Sequence, residues 1–464
     1  MFVHTEHSII YVSPNGTGDG STELLATDLQ WVLTHENVIP GDTIVLLDGT
    51  YTGNFYSTIT GVVGEEIIIK PKNYLQAIID GSIQIGDFGG INGAYTIIRN
   101  VIGTNSDTDR GTWETPQGTI SRTPNIFPAA PNVGIINCIY HDGGVGIPGY
   151  EVANNLILYG NLVYNNGWAD DNLGGAECLY LHSTNKTVKH NIFGGAFKRS
   201  VAVYTTNGTI DDITLEENVV FARSTLLMGG NASDGEVILG SLIGNHVINN
   251  GIQLGYTMTP NITAICNNNR VYGDNPLTAS YFQYLTVNGN KFSGKDASGN
   301  ACFELNYTTE KIEYLINNNE YHNVGIGGGI FNPGGTFAGW QALGYDADGS
   351  YSTILPTINE VFVYPNEYPD EDDKRMGIIV IWNWEEYNSV AVDLIDLELA
   401  IGDTYRWRQA QDPLVDIGTF VFDGNPVSFG MTAAEHSVAY PIGFDELLIE
   451  SQFPVFGTFI IEKV

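Results

Sequence analysis

Positive charge is scarce in this chain. Lysine and arginine number 19 against 53 aspartates and glutamates, a net charge of −34 over 464 residues. That balance excludes nucleic acid as a partner, because phosphate binding needs Lys and Arg, and it disfavours anionic membrane surfaces. It suits solubility, a saline setting or divalent cations. Cysteine is scarce too. The four cysteines, Cys138, Cys178, Cys266 and Cys302, form no CxxC pair, so neither a zinc site nor a disulfide framework is implied. They read as small buried hydrophobes. Long apolar runs are missing: no stretch of ~18 apolar residues occurs, so no membrane-inserting helix is expected. The opening MFVHTEHSIIYVSP lacks a basic segment followed by an apolar run. If Met1 is the native start, the usual export route is not expected. Helical periodicity is absent from the central coils, which excludes a helical repeat protein.

What is present is a short phrase, repeated. An Asn followed by alternating aliphatic or aromatic residues recurs at Asn137, Asn161, Asn191, Asn218, Asn245, Asn269, Asn290 and Asn319, at spacings of 24, 30, 27, 27, 24, 21 and 29 residues. A variable period of this size, built on period-2 strands, predicts a β-solenoid. Each Asn sits at a bend, where its amide bonds backbone and ladders with its copies. A second ladder keeps pace with the first: Val145/Ile147, Leu179/Leu181, Val201/Val203, Leu226/Met228 and Ile252/Leu254, each an inward aliphatic pair. Turn pairs such as Asn166-Gly167 and Asn250-Gly251 lie between them.

At the N-terminus, SIIYVSPNGTGDG reads as a strand and turn, and residues 27–38 as a short amphipathic helix with Thr27 or Asp28 as N-cap. Such a helix covers the open end of a solenoid, whose unpaired backbone groups otherwise invite association. The string YVSPNGTGDG, the helix, PGDTIVLLDGTY, AIIDG and YTIIRNV together resemble the opening of right-handed parallel β-helix proteins of the pectate-lyase-like superfamily. The phrases YGNLVYNNGW, ECLYLHSTNKTVKHNIFGG and LEENVVFA resemble coils of that family. The resemblance spans residues 8–335. It implies an all-β fold, a right-handed parallel β-helix. It does not fix an activity, since the superfamily holds lyases, hydrolases, phage tailspikes and surface proteins.

The coil pattern fades into glycine near residues 324–350. Beyond it, strand candidates separated by Gly/Asp turns predict a small antiparallel β-sandwich. The phrase IIVIWNWEEYNSVAVDL resembles a β appendage that follows parallel β-helices in environmental bacterial proteins. The expected division is 1–39 for the N-terminal strand and capping helix, 40–350 for the β-helix, and 351–464 for the β-sandwich.

Sugar-cleaving β-helices work on the outer face of a strand row. With the aliphatic pairs inward, the outward residues are Gly146/Pro148, Tyr180/His182, Ala202/Tyr204, Leu227/Gly229 and Gln253/Gly255, a set without a carboxylate. Glycoside hydrolysis normally needs two carboxyl groups, and the nearest acids, Asp170, Asp171 and Glu177 among them, lie in turns where Asp is also a common turn-former. A lyase needs a base and a neutraliser for the uronate, often Ca²⁺. His182, Tyr204, Lys198 and Arg199 fall on adjacent coils. The catalytic candidates are therefore Asp170, Asp171, Glu177, His182, Lys198 and Tyr204. The Asp and Arg rows of pectate lyases have no residue-by-residue counterpart here. Trp113, Trp168, Tyr180, Tyr204 and Tyr256 are the candidate carbohydrate platform, since rings stack on the apolar faces of sugars. Asp346-Ala-Asp348-Gly has oxygen ligands two apart and a turn glycine, which makes Asp346 and Asp348 the candidate Ca²⁺ ligands.

The favoured reading is a structural β-helix protein, extracellular or on a virion surface, of spike, fibre or decoration type, that faces a polysaccharide or surface glycan and assembles as a homo-oligomer or larger structure. The alternative is a polysaccharide lyase or glycoside hydrolase acting on an acidic polysaccharide.

Overall fold

The computed structural model describes residues 7–88, 92–112, 123–169, 176–257, 261–295, 302–308, 311–322, 331–370 and 373–464, with the side chains of 232–234 excepted. Trp113, Asp170 and Asp171 lie outside the described residues. The chain divides into two compact units, Met1–Ile354 with Ile442–Phe444, and Leu355–Pro441 with Asp445–Val464.

The first unit is a parallel β-solenoid of roughly ten coils, each coil contributing strands to stacked faces. The first face stacks Ile9–Val12, Thr43–Leu46, Ile67–Pro71 and Thr96–Arg99, and continues to Glu313–Asn317. The second runs from Gly49–Ser57 and Ala77–Ile85 through Ile139–His141 and Leu162–Tyr164 to Glu320–His322. The third runs from Ile147–Gly149 through Leu179–Leu181, Ile252–Leu254 and Phe303–Asn306 to Phe331–Asn332. Alternation along every strand sends one set of side chains into the bore. Ile147, Leu179, Val201, Leu226, Ile252, Leu277 and Phe303 are in register and fully buried there.

The Asn ladder lies at the bend between the first and second faces. Each amide is used in two directions. Asn245 Oδ1 accepts from Asn218 N (3.1 Å) and Asn218 Nδ2 (3.0 Å). Asn245 Nδ2 donates to Leu215 O (2.9 Å) and to Asn269 Oδ1 (3.0 Å). The same pattern joins Asn161, Asn191, Asn218, Asn245, Asn269, Asn290 and Asn319. The residue before each rung has positive φ: Gly160, His190, Glu217, Gly244, Asn268, Gly289 and Asn318. This left-handed step turns the chain from one face to the next.

One expectation is corrected here. Asn137 is not a rung. It is the left-handed residue (φ +54°), and Cys138 stands in register with Asn161. Cys138 N donates to Asn161 Oδ1 (3.0 Å), and its thiol faces Ile136 O (3.3 Å), the direction in which an amide would donate. At the other end the ladder closes on Asp346. Asn319 N and Nδ2 donate to Asp346 Oδ1 (3.1 and 2.8 Å), while Tyr321 OH and Trp340 Nε1 donate to Oδ2 (2.6 and 2.9 Å). A last rung has no further rung to donate to, so a group that only accepts fits where an amide would strand its N–H. Asp348 closes a second, outer ladder: Asn317 Nδ2 donates to Asp348 Oδ2 (2.9 Å) and Asp348 N donates to Asn317 Oδ1 (3.0 Å). Hydrogen bonds within the fold thus engage both oxygens of Asp346 and one of Asp348, the two residues expected to bind Ca²⁺. Among the described residues no group of three or more His, Cys, Asp or Glu is placed to hold a metal ion.

Both ends of the bore are covered. Helix Leu29–Leu33, shorter than the sequence suggests, is capped by Asp28 Oδ1 accepting from Trp31 N (2.8 Å), and it buries Leu29, Val32 and Leu33. Helix Phe337–Ala342 drives Trp340 against Phe303, Phe331 and Tyr345.

The second unit holds a five-stranded antiparallel sheet in the order Glu360–Pro365, Arg375–Trp382, Phe456–Lys463, Thr404–Gln409, Ile417–Val421. A two-stranded ribbon, Ser389–Val392 with Val427–Gly430, accompanies it. Their shared core includes Ile379, Val392, Tyr405, Phe429, Met431 and Phe459. On the opposite face of the sheet, Arg408 Nε donates to both oxygens of the buried Glu462 (2.9 and 2.8 Å).

The two-way use of each rung predicts the outcome of Asn245→Asp. An ionised carboxylate there turns one oxygen on Leu215 O and Asn269 Oδ1, two acceptors. The folded-state pKa of such an Asp is raised, so the penalty is small near pH 3 and grows as pH rises through the carboxylate range. It should reach roughly 3 kcal/mol or more at pH 7. Urea unfolding of the variant and parent at pH 3 and pH 7 measures it.

Candidate functional site

The third face carries the candidate site on its outer side. Its in-register outward residues are Pro148, Tyr180, Ala202, Leu227, Gln253, Thr278 and Glu304. The row therefore does contain a carboxylate, Glu304, further along than the coils read from the sequence. The register also corrects the sequence reading by two residues at the first coil. Ile147/Gly149, not Val145/Ile147, pairs with Leu179/Leu181. Continuing that register places Tyr150 beside His182, and their rings stack at 5.1 Å and 23°.

Tyr150 joins the site into a row of rings. Phe88 meets Phe127 edge-on at 4.7 Å, and Phe127 meets Tyr150 at 5.3 Å. Tyr150 meets Tyr180 at 6.0 Å, and Tyr180 meets His182 at 5.9 Å. Further along, Tyr204 meets Tyr256 edge-on at 5.4 Å, with the Arg199 guanidinium 6.0 Å from the Tyr256 ring centre. Arg199 is held there by a bond from Nη1 to Thr225 Oγ1 (3.0 Å). Edge-to-face contacts at these separations are favourable in themselves and fix the ring orientations.

Trp168 is not part of this surface. Gly167 (φ +108°) is pressed so closely on Ala176 that an added Cβ would lie 2.5 Å from the Ala176 Cβ. In this tight turn Trp168 is buried, 1% exposed. Glu177 is buried as well. Lys198 lies in the turn before Val201, where its backbone N–H donates to Ala176 O (3.2 Å). Of the platform and catalytic candidates that are described, Tyr180, His182, Tyr204 and Tyr256 come to the row.

Lys186 is a further residue that sequence reading misses. It occupies an inward position on the first face, between Leu156 and Ile213 in register. An aliphatic belongs there, and its neighbour Val188 is one. The reason lies across the bore at Gly149, which has no side chain to fill the space. A Cβ on Gly149 would lie 2.6 Å from Leu181 Cδ2 and 3.5 Å from Lys186 Cε. Leu156 Cδ2, at 2.9 Å, also crowds this point, so two leucine side chains and the lysine stem share the space that glycine leaves. Its ammonium donates to Thr184 O (3.0 Å).

Burial then sets the titration of the whole group. It pulls the Lys186 ammonium down from its usual 10.5 to about 8, with the Glu151 carboxylate opposing. Burial also lowers His182, and the Lys186 charge adds to this while Glu151, 3.6 Å from His182 Nδ1, resists. Burial raises the Tyr180 phenol, and the Glu177 and Glu151 carboxylates push it further. Tyr204 is raised for the same first reason, with Tyr256 contributing. At neutral pH this arrangement offers a neutral imidazole able to take a proton, phenols able to donate one, and a lysine within reach of losing its charge.

No protein-family model matches the chain, and no curated protein matches its sequence. Three solved structures similar to it are the following. Pectate lyase Pel9A is 14% identical, with 69% of this chain and 75% of that chain covered and a TM-score of 0.41. The catalytic unit of a GH87 α-1,3-glucanase from Streptomyces thermodiastaticus is 13% identical, with 75% and 69% covered and a TM-score of 0.41. The Dettilon tailspike protein is 10% identical, with 97% and 93% covered and a TM-score of 0.37. Each is a similarity of chain path, and no residue role is carried over from any of them.

Proposed function

We propose that this chain is a carbohydrate-facing parallel β-helix that binds a glycan along the outer side of its third strand face, as a structural spike, fibre or decoration outside the cell or on a virus particle. The observation that carries the reading is the ring row from Phe127 through Tyr150, His182 and Tyr180, with Tyr204 and Tyr256 beyond it. Strands stack about 4.8 Å apart, close to the length of one pyranose unit. A saccharide chain lying along the row therefore meets aromatic surface at successive sugars. Gln253, Glu151 and Arg199 stand beside the rings to bond hydroxyls. A rigid solenoid with a net charge of −34 suits exposure in water on a particle or cell surface.

A second reading, cleavage of an acidic polysaccharide, is favoured by one observation: Glu151 is linked electrostatically to His182 and Tyr180 on that face and to Lys186 in the bore behind them. A neutral His182 would take the proton removed in elimination, and the Lys186 charge would offset the uronate carboxylate.

Three outcomes are expected. Isothermal calorimetry against neutral and acidic oligosaccharides should find a binder whose affinity falls about tenfold in Tyr150→Ala and again in Tyr204→Ala, with circular dichroism unchanged. Silence across the panel would remove the proposal. The second reading predicts absorbance from unsaturated uronates that disappears in His182→Gln; a flat trace on every acidic substrate leaves binding alone. Lys186→Met should stabilise the fold at pH 7 by up to roughly 3 kcal/mol. The sign follows from protons bound. Between about pH 8 and pH 10.5 the unfolded chain keeps the Lys186 proton that the folded chain has lost. The parent should therefore gain stability over that window relative to the variant, as denaturant midpoints across pH would show.

A further inference from the structure

A cleft of about 660 Å³ lies at the N-terminal end of the solenoid, between the loop after Ile9–Val12 and the capping helix. One wall is rigid backbone. Gly18 N donates to Ala26 O (3.0 Å) and Gly20 N to Leu25 O (2.7 Å). The loop sits so close that a Cβ on Gly18 would lie 2.1 Å from Leu25 O. The other wall carries Trp31, 44% exposed although it sits on a helix whose other apolar residues are buried. His35 backs the indole with ring centres 3.8 Å apart.

The polar groups around this ring are of both kinds. Asp28 uses Oδ1 to cap the helix at Trp31 N, and Asp19 uses Oδ1 for Ser21 N and Oγ. Their Oδ2 atoms are left to accept from the cleft. His35 Nδ1 accepts from Asn37 N (3.2 Å), which puts the proton of the neutral ring on Nε2, a donor. The Asn37 amide and the indole N–H add further donors. Two carboxylates disfavour an anion. An organic cation would need acceptors only. A hydroxyl gives and takes at once, so mixed donors and acceptors around an exposed indole fit a sugar ring, with its C–H face on Trp31.

We infer that this cleft is a second saccharide site, separate from the ring row, and that it takes an uncharged pyranose. The test uses the full chain and saturation-transfer NMR with glucose, galactose and a neutral hexasaccharide, with galacturonate oligomers and choline as contrasts. Radical footprinting follows oxidation of Trp31. A neutral sugar should bind and protect Trp31. In a Tyr204→Ala background, which weakens the ring row, affinity should fall at least tenfold further in Trp31→Ala and severalfold in Asp19→Asn, and the footprint at Trp31 should be the same with and without Tyr204→Ala. The Asp19→Asn variant guards against a folding defect in Trp31→Ala. The inference is overturned if no neutral sugar protects Trp31, if choline or galacturonate protects it better, or if binding in the Tyr204→Ala background is unaffected by Trp31→Ala. Because Tyr204→Ala reports on the ring row alone, failure at one site is distinguishable from failure at the other.

Discussion

An amide buried in a bend must give hydrogen bonds in one direction and take them in the other. Leaving either side unmet costs about 1–3 kcal/mol. From Asn161 to Asn319 this demand is met by the next coil and the one before. Each rung therefore fixes the register of two neighbours, and the left-handed residue before it fixes the turn. The fully buried aliphatics of the third face stay in line because the bends on the other side of the bore do. Packing supplies the bulk of the stability, but the direction of the amides decides which coil sits on which.

The site follows from that register. Strands held in phase present outward residues at rung spacing, so rings far apart in sequence, such as Tyr150 and His182, stack face to face. The inner side matters too. A glycine at position 149 leaves room that Leu181, Leu156 and the stem of a lysine from another face share. That lysine places a cation near His182, where its charge adds to burial in lowering the proton affinity of the imidazole. Core packing and surface chemistry are one arrangement here.

Most of the fold is legible in the sequence because two periodic signals, an Asn phrase and paired aliphatics, run together. Their phase fails where residue types overlap. Asn suits both a ladder rung and a left-handed bend, so Asn137 reads as the rung that Cys138 occupies. An inward glycine sends no hydrophobic signal, so the coil at Ile147–Gly149 is read two residues early and Tyr150 is missed. Asp346 and Asp348 have the spacing of a calcium loop, yet they close two ladders. The step of 27 residues from Asn319 to Asp346 was the available clue. Of the site, Tyr180, His182, Tyr204 and Tyr256 follow from alternation alone. Phe88 and Phe127 do not, since they stand on coils before the paired aliphatics begin, and Lys186 does not, since it reaches the underside of the row from the first face.

The ladder opens on a thiol at Cys138 and closes on a carboxylate at Asp346, and neither end depends on how many asparagines stand between them. Every interior rung offers the same groups upward and downward. A whole coil could be lost or duplicated without leaving an unmatched amide, whereas a fraction of a coil could not. The solenoid is in this sense quantised in length: its reach can change by copying, one rung at a time, with both terminators kept.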